Sequence, residues 1–291
     1  MALTSLWTGS DNYLCDAELA QAFHMSRVLG MPLLIEGEPG TGKTELPLQY
    51  AKDQGLELFV FPVGSKSTVE QFVANFDHVR YLRDSQVEVL NAQREEKGLE
   101  PLSSSGRMTE NLDDYVQLGP GAKAYLKPNS VLLIDEIDKA PREFPNDLLY
   151  ALSHRAFILP ESGRTIEVSE TDMPAVVITS NREQELPTAF KGRCIYHYIR
   201  FPEPATMRQI IAKHFAKLEP RLLDSCLDLF YQLREMGLER APSTRELLNW
   251  IKYLQAFAPE EAQSRIQERN GMGVLVKNQK DMEKVLRLYG K

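Results

Sequence analysis

Residues 37–44 read Gly37-Glu38-Pro39-Gly40-Thr41-Gly42-Lys43-Thr44, and Pro32-Leu33-Leu34-Ile35-Glu36 stands immediately before them. The preceding run is short, apolar and ended by glycine, the pattern of a strand buried on both faces of a parallel sheet. The octet matches the phosphate-loop pattern G-x-x-x-x-G-K-[ST] at every constrained place. Gly37, Gly40 and Gly42 let the backbone curl until successive N–H groups point inward at one phosphate. Lys43 adds a mobile positive charge for the β- and γ-phosphates of a nucleotide, and Thr44 offers a hydroxyl to Mg2+. Glu38, Pro39 and Thr41 fill the variable places and complete the nucleotide-binding set. The helix expected over Lys43 to Lys52 turns its positive end toward the same anion, and Pro47 falls early enough in it to be tolerated. A glycine-rich turn without a ligand would need neither the strand before it nor the helix after it.

Outward from this loop, Val131-Leu132-Leu133-Ile134 is a second buried strand, and it delivers Asp135 and Glu136 at its carboxyl end. Ligands of open α/β sheets bind at such ends. Asp135 suits a place in the Mg2+ shell, and Glu136 suits the orienting and polarising of a water for attack on a γ-phosphate. The alternative is an acidic strand-to-helix turn acting only as a helix cap. Leu58 to Phe61, Ala175 to Thr179 and Cys194 to Phe201 read as further strands. Helices are expected over Asp16 to Leu29, with Leu19, Phe23, Met25 and Val28 buried, over Tyr81 to Glu96, and over roughly Arg142 to Ser153. Phe157 to Val168 reads as a hairpin about Ser162-Gly163.

Strands alternating with helices predict an α/β fold: a parallel-sheet core of the P-loop type with helices on both faces. After Phe201-Pro202-Glu203-Pro204 the pattern from Thr206 to about Glu268 is helical. There Ser243 and Glu246 form a capping box ahead of Leu247, Leu248, Trp250 and Ile251. The expected division is therefore a nucleotide-binding core over 1–202, in which Glu95 to Leu112 has the composition of an exposed, mobile insertion, and a small all-helical lid over 203–291.

Charge and cysteine usage narrow the function classes. Lysine and arginine number 34 against 41 aspartates and glutamates, a net −7, which argues against a surface built to neutralise a nucleic-acid backbone. Cys15, Cys194 and Cys226 lie far apart, without a C-x-x-C pair or a zinc-type Cys/His cluster, so reduced structural thiols are expected. The opening residues lack a basic and apolar leader, and no window reaches membrane-span length. A cytoplasmic protein is expected on those grounds.

The phosphate loop, LLIDEID, Thr179-Ser180-Asn181 and Arg193 together resemble the AAA+ ATPases. More narrowly, IDEIDKAPREFPNDLLYALSHRAFILPESGRTI, ITSN, FKGRCIYHYIRFPEP, APSTRELLNW and GVLVKNQKDM are similar to the MoxR family, in its CoxD-like branch. The likeness runs from about Asp16 to Met282, is weakest over Glu88 to Asp114, and implies an insertion in the second core helix at about 88–114. It implies ATP and Mg2+ as ligands and a ring, six-membered in that family. Asn181 would be the sensor-1 residue and Arg193 the arginine finger reaching a neighbouring subunit, with Lys191 its nearest competitor. Arg245 would be the sensor-2 arginine of the lid. Arg155, Arg164 and Arg182 are further interface candidates. The family works beside a partner carrying a von Willebrand factor A domain, in the maturation of metalloenzymes and other complexes, and this implies such an adaptor here.

A second reading is a nucleic-acid motor or nucleotide-dependent switch. It would need a basic, aromatic-lined channel or an appended reading module. The one candidate surface, Arg94, Lys97 and Arg107, is offset by Glu95, Glu96 and Glu100. A third reading, a nucleotide-binding protein that does not hydrolyse, conflicts with the presence of every member of the hydrolytic set. Trp7 and Trp250 are expected as anchors or core residues.

Overall fold

Apolar runs of four to six residues become strands because both of their faces are covered. The computed structural model describes residues 6–102, 109–159, 161–169 and 172–289. Its central strands are β1 (Leu33–Gly37), β2 (Leu58–Pro62), β3 (Val131–Asp135), β4 (Ala175–Ser180) and β5 (Ile195–Ile199). They form one five-stranded sheet in the order β5-β1-β4-β3-β2. β3 pairs in parallel with β4, Val131 to Ile134 facing Ala175 to Ile178, and with β2, Val131 to Asp135 facing Leu58 to Pro62. The inner strands are sealed on both sides, as unbroken apolar runs require, whereas the outermost strand β2 leaves Val60 exposed. The expected α/β P-loop fold with a helical C-terminal region is what forms.

The sheet's helices start and stop close to their expected limits. α1 spans Ala17–Leu29, α2 Glu45–Gln54, α3 His78–Glu96 and α4 Phe144–His154. α3 begins three residues earlier than expected because the Asp77 side chain accepts the Arg80 N–H at 3.0 Å and caps it. α2 opens at Glu45, so Lys43 and Thr44 belong to the turn. α1 corrects an expectation: Leu19 and Phe23 are buried with Ala20, Ala22 and Ser26, but Met25 and Val28 are exposed. At 100° per residue, positions 19, 22, 23 and 26 share one face, and 25 and 28 fall on the other. The predicted hairpin is present, Ala156–Ile158 pairing antiparallel with Thr165–Glu167.

Of the insertion, residues 103–108, Arg107 among them, lie outside the described residues, as do residues 1–5. The described flanks turn back onto α3. Asn91 donates to the Leu102 carbonyl and accepts its N–H, Arg94 donates to the Glu100 carbonyl at 2.7 Å, and Thr109 bonds to Glu88.

The helical region consists of α5 (Pro204–His214), α6 (Pro220–Glu235), α7 (Thr244–Leu254), α8 (Pro259–Gln267) and α9 (Gln279–Tyr289). Proline opens three of these helices, where its missing N–H has no intrahelical partner to lose. α9 lies beyond the helical stretch expected from sequence. The capping box is formed as predicted: the Glu246 carboxylate accepts the Ser243 N–H at 2.8 Å, and Ser243 Oγ accepts the Glu246 N–H at 3.4 Å. Asp281, almost fully buried, accepts the N–H groups of Glu239 and Arg240. Burial alone would raise its pKa, but these backbone bonds outweigh it and hold the carboxyl below the usual range.

Contacts divide the chain into two compact units. One takes Gln21–Ile35 and Ala51–His197, and its core gathers Leu34, Phe61, Phe72, Leu132, Ile134, Phe144, Phe157 and Ile178. The other takes Leu6–Ala20, Glu36–Tyr50 and 198–289, with Phe230, Leu247, Trp250 and Ile251 at its centre. The phosphate-loop segment thus clusters with the C-terminal helices.

Candidate functional site

The loop between β1 and α2 has the backbone that its glycines permit. Gly40 and Gly42 take φ of +80° and +91°, left-handed conformations that side chains rarely adopt. Space is as restrictive as conformation at Gly40, where a Cβ would stand 2.6 Å from the Ser243 Cβ. Lys43, 5% exposed, folds under the loop and donates to the carbonyls of Gly37 and Glu38, each at 2.8 Å. Thr41 Oγ1 donates to the Glu38 carbonyl at 2.9 Å, and Thr44 is half-buried just ahead of α2. Pro39 and Glu38 are exposed at the loop's crest, and Glu38 forms an ion pair with Arg234 at 2.7 Å. This curled backbone, with an ammonium beneath it and a helix N-terminus behind it, has the donors a polyphosphate needs.

The N-terminal segment packs beside the loop. Tyr13 lies 3.4 Å from where a Gly42 Cβ would be, and Trp7 stacks on Tyr13 at 6.0 Å with its edge toward Tyr50 at 5.4 Å. Trp7 is therefore an aromatic anchor, and Trp250 is fully buried among the C-terminal helices. Both sit in the packed positions expected of them.

At the end of β3, two adjacent carboxylates are held differently. Thr179 on β4 is fully buried, and its Oγ1 donates to Asp135 Oδ1 at 2.6 Å while accepting the Glu136 N–H at 2.8 Å. Glu136 takes a left-handed backbone, φ 59° and ψ 51°, a conformation costing a non-glycine residue about 1–2 kcal/mol. Its carboxylate has partners of its own, distinct from those of Asp135. Asn181 Nδ2 donates to Glu136 Oε1 at 3.0 Å, and Lys139 Nζ donates to Oε2 at 2.6 Å. The hydrogen bond to Glu136 raises the Lys139 pKa.

Asp138 was missed in sequence. It is buried, and its carboxylate accepts the N–H of Asn181 at 3.1 Å and that of Glu183 at 2.9 Å. It thereby fixes the loop that carries Asn181. Lys139 and the bridging part of Thr179 were likewise not singled out. A second aspartate three residues after the first was a usable signal, because a charge there is buried only with donors around it. Asp135, Glu136 and Asn181 are thus brought together, with Thr179, Asp138 and Lys139 as their supports.

Arg193, exposed after the short helix Thr188–Lys191, donates to the Ala189 carbonyl at 2.9 Å. Arg245 is exposed in the first turn of α7. Among the other candidates, Arg155 ends α4 in a left-handed conformation with its guanidinium against Gly30, and Arg164 pairs with Asp113 at 2.7 Å. Both are engaged within the chain. Arg182 has a left-handed φ of 63° beside Asn181.

No helix among the described residues is long and apolar enough to cross a membrane. Residues 32–194, more than half of the chain, match the family described as AAA domain (dynein-related subfamily). The matched span takes in the phosphate loop, the acidic end of β3, Asn181 and Arg193. No match is found among curated proteins.

Proposed function

The chain belongs to the AAA domain family, dynein-related subfamily, and from that premise we propose that it is an ATP-driven remodelling enzyme of the MoxR kind. Membership supports an AAA+ ATPase with ATP and Mg2+ as its ligands. Within that class, we assign Lys43 and the N–H groups of 37–44 to the phosphates, and Thr44 and Asp135 to the Mg2+ shell. The metal, when bound, neutralises charge on the β- and γ-phosphates. Glu136 orients the attacking water and takes its proton, and Asn181 holds the Glu136 carboxylate at the angle for this. Arg193 completes a neighbour's site in a ring, and Arg245 reads the γ-phosphate from the C-terminal helices. A guanidinium suits either task because it stays charged and binds phosphate oxygens in a planar fork. The division into a core over 1–202 and a lid over 203–291 belongs to this reading, as do a hexamer, a von Willebrand factor A domain adaptor and a protein client.

The observation that carries the proposal is the linked set Asp135–Thr179–Glu136–Asn181, with both carboxylates anchored. A turn that merely capped a helix would not need a strained residue whose carboxylate is held by an amide from the loop after the next strand. Glu136→Gln is expected to bind ATP and turn it over at least about 10²-fold more slowly. ATP hydrolysis per subunit, followed as protein concentration rises, tests the ring. The natural chain is expected to climb in specific activity, and Arg193→Ala to bind ATP without hydrolysing it. Flat activity with a dispensable Arg193 refutes the shared site.

A further inference from the structure

Arg234 stands near the end of α6, 196 residues from the phosphate loop in sequence, yet its guanidinium holds that loop directly. Nη2 donates to Glu38 Oε2 at 2.7 Å, and Nη1 donates to the Pro242 carbonyl at 2.7 Å. The guanidinium carbon lies 3.3 Å from the centre of the Phe201 ring. One helical turn earlier on the same face, Tyr231 donates to the Pro202 carbonyl at 2.7 Å. Pro242 precedes Ser243, the residue that a Cβ on Gly40 would strike at 2.6 Å. Arg234 therefore clasps Glu38 and Pro242 on either side of the close approach between Gly40 and Ser243.

We propose that Arg234 is a positioning residue that tethers the phosphate loop, through Glu38, to α6 and to the segment leading into α7, and thereby sets nucleotide affinity. This rests on the reading that residues 37–44 hold the nucleotide. Exposed ion pairs usually count for little, because two long side chains must be ordered to form them. Arg234 escapes that cost: Phe201 and Pro242 already fix its fork, and its side chain is only 14% exposed. Glu38 has no such support from its own segment, being half-exposed on the loop's crest. Without Arg234 the loop would carry an unneutralised carboxylate into the neighbourhood of a polyphosphate, and its crest would be free to move. Both effects act on any nucleotide. A group that reads the γ-phosphate would instead separate ATP from ADP.

The test is calorimetric titration of the full chain with ADP and with a non-hydrolysable ATP analogue. Arg234→Ala is expected to weaken both by the same factor, about tenfold. Arg234→Lys, which keeps the charge and loses the fork, is expected to fall between that variant and the natural chain. Adding Glu38→Gln to Arg234→Ala is expected to recover the part of the loss due to the stranded carboxylate and to leave the part due to the freed crest. Any loss of packing on Phe201 is common to those two variants and cancels between them. Unchanged binding in Arg234→Ala, or a Glu38→Gln loss that adds in full to that of Arg234→Ala as at an independent site, overturns the tether. Failure of the natural chain to bind either nucleotide refutes instead the reading of residues 37–44.

Discussion

Replacing Thr179 by valine keeps the shape and β-branching of a strand residue and deletes one hydroxyl, so the strand's own preference is untouched. Two partners lose it. Asp135 Oδ1 is left without a donor it now holds at 2.6 Å, and the Glu136 N–H without an acceptor at 2.8 Å. A hydrogen bond to a charged group contributes about 1.5–3 kcal/mol, and an unsatisfied buried N–H costs about 1–3 kcal/mol. Thr179 is fully buried, but both partners are only partly so, and water can recover some of the loss. The expected destabilisation is about 2–4 kcal/mol, toward the lower end of the combined range of about 2.5–6 kcal/mol. It should be read as a shift of the urea midpoint at constant slope. Turnover should fall more steeply, on the order of 10²-fold, since the Glu136 backbone loses an anchor of its left-handed turn. Thr179→Ser retains the hydroxyl and is expected to recover most of both. If Thr179→Val melts and hydrolyses like the natural chain, the bridge across β3 and β4 does not position the carboxylates.

Gly40→Ala places a methyl 2.6 Å from Ser243 Cβ at a φ of +80°, so nucleotide affinity should drop sharply and stability by at least about 1–2 kcal/mol. An alanine variant with unaltered affinity would contradict the loop geometry. Asp281 has a depressed pKa, so its contribution to stability is full above its ordinary 3.8 and is lost as pH falls from there through the lower folded value. The stability gap between the natural chain and Asp281→Asn should therefore be constant from neutral pH down to about 5 and narrow below 3.8, and a gap that does not narrow in acid counts against it. Burial pushes the thiols of Cys15, Cys194 and Cys226 up to about 12, with Asp16 adding to the effect at Cys15. Iodoacetamide at pH 8 should leave all three unmodified until the protein is unfolded, whereas rapid labelling of the native chain would show them to be accessible.

How much of this was legible in sequence follows from the range of each interaction. β1, β3 and β4 were visible because burial on both faces leaves an unbroken apolar run. The capping box was visible because its two members lie three residues apart. The exposed side of α1 was misjudged at Met25 and Val28, where apolar identity was given more weight than angular position. Asp138 and Lys139 stood in the quoted motif, but their tasks depend on where the backbone turns at Glu136. Nothing local announces that turn in a glutamate. Arg234 was beyond reach altogether: its partners are Phe201, Pro242 and Glu38, and only the folded chain brings those together.

The two tryptophans divide the protein's optical signal between two environments. Trp250 is sealed in the C-terminal core, and its indole N–H has no hydrogen-bond partner among the described residues, so its emission belongs at the blue end and beyond the reach of iodide. Trp7 is half-buried, stacked on the tyrosine that lies against Gly42, so it should emit further to the red and respond to quencher. One chain without any attached dye thus reports unfolding of its helical core at one wavelength and events at the phosphate loop at another.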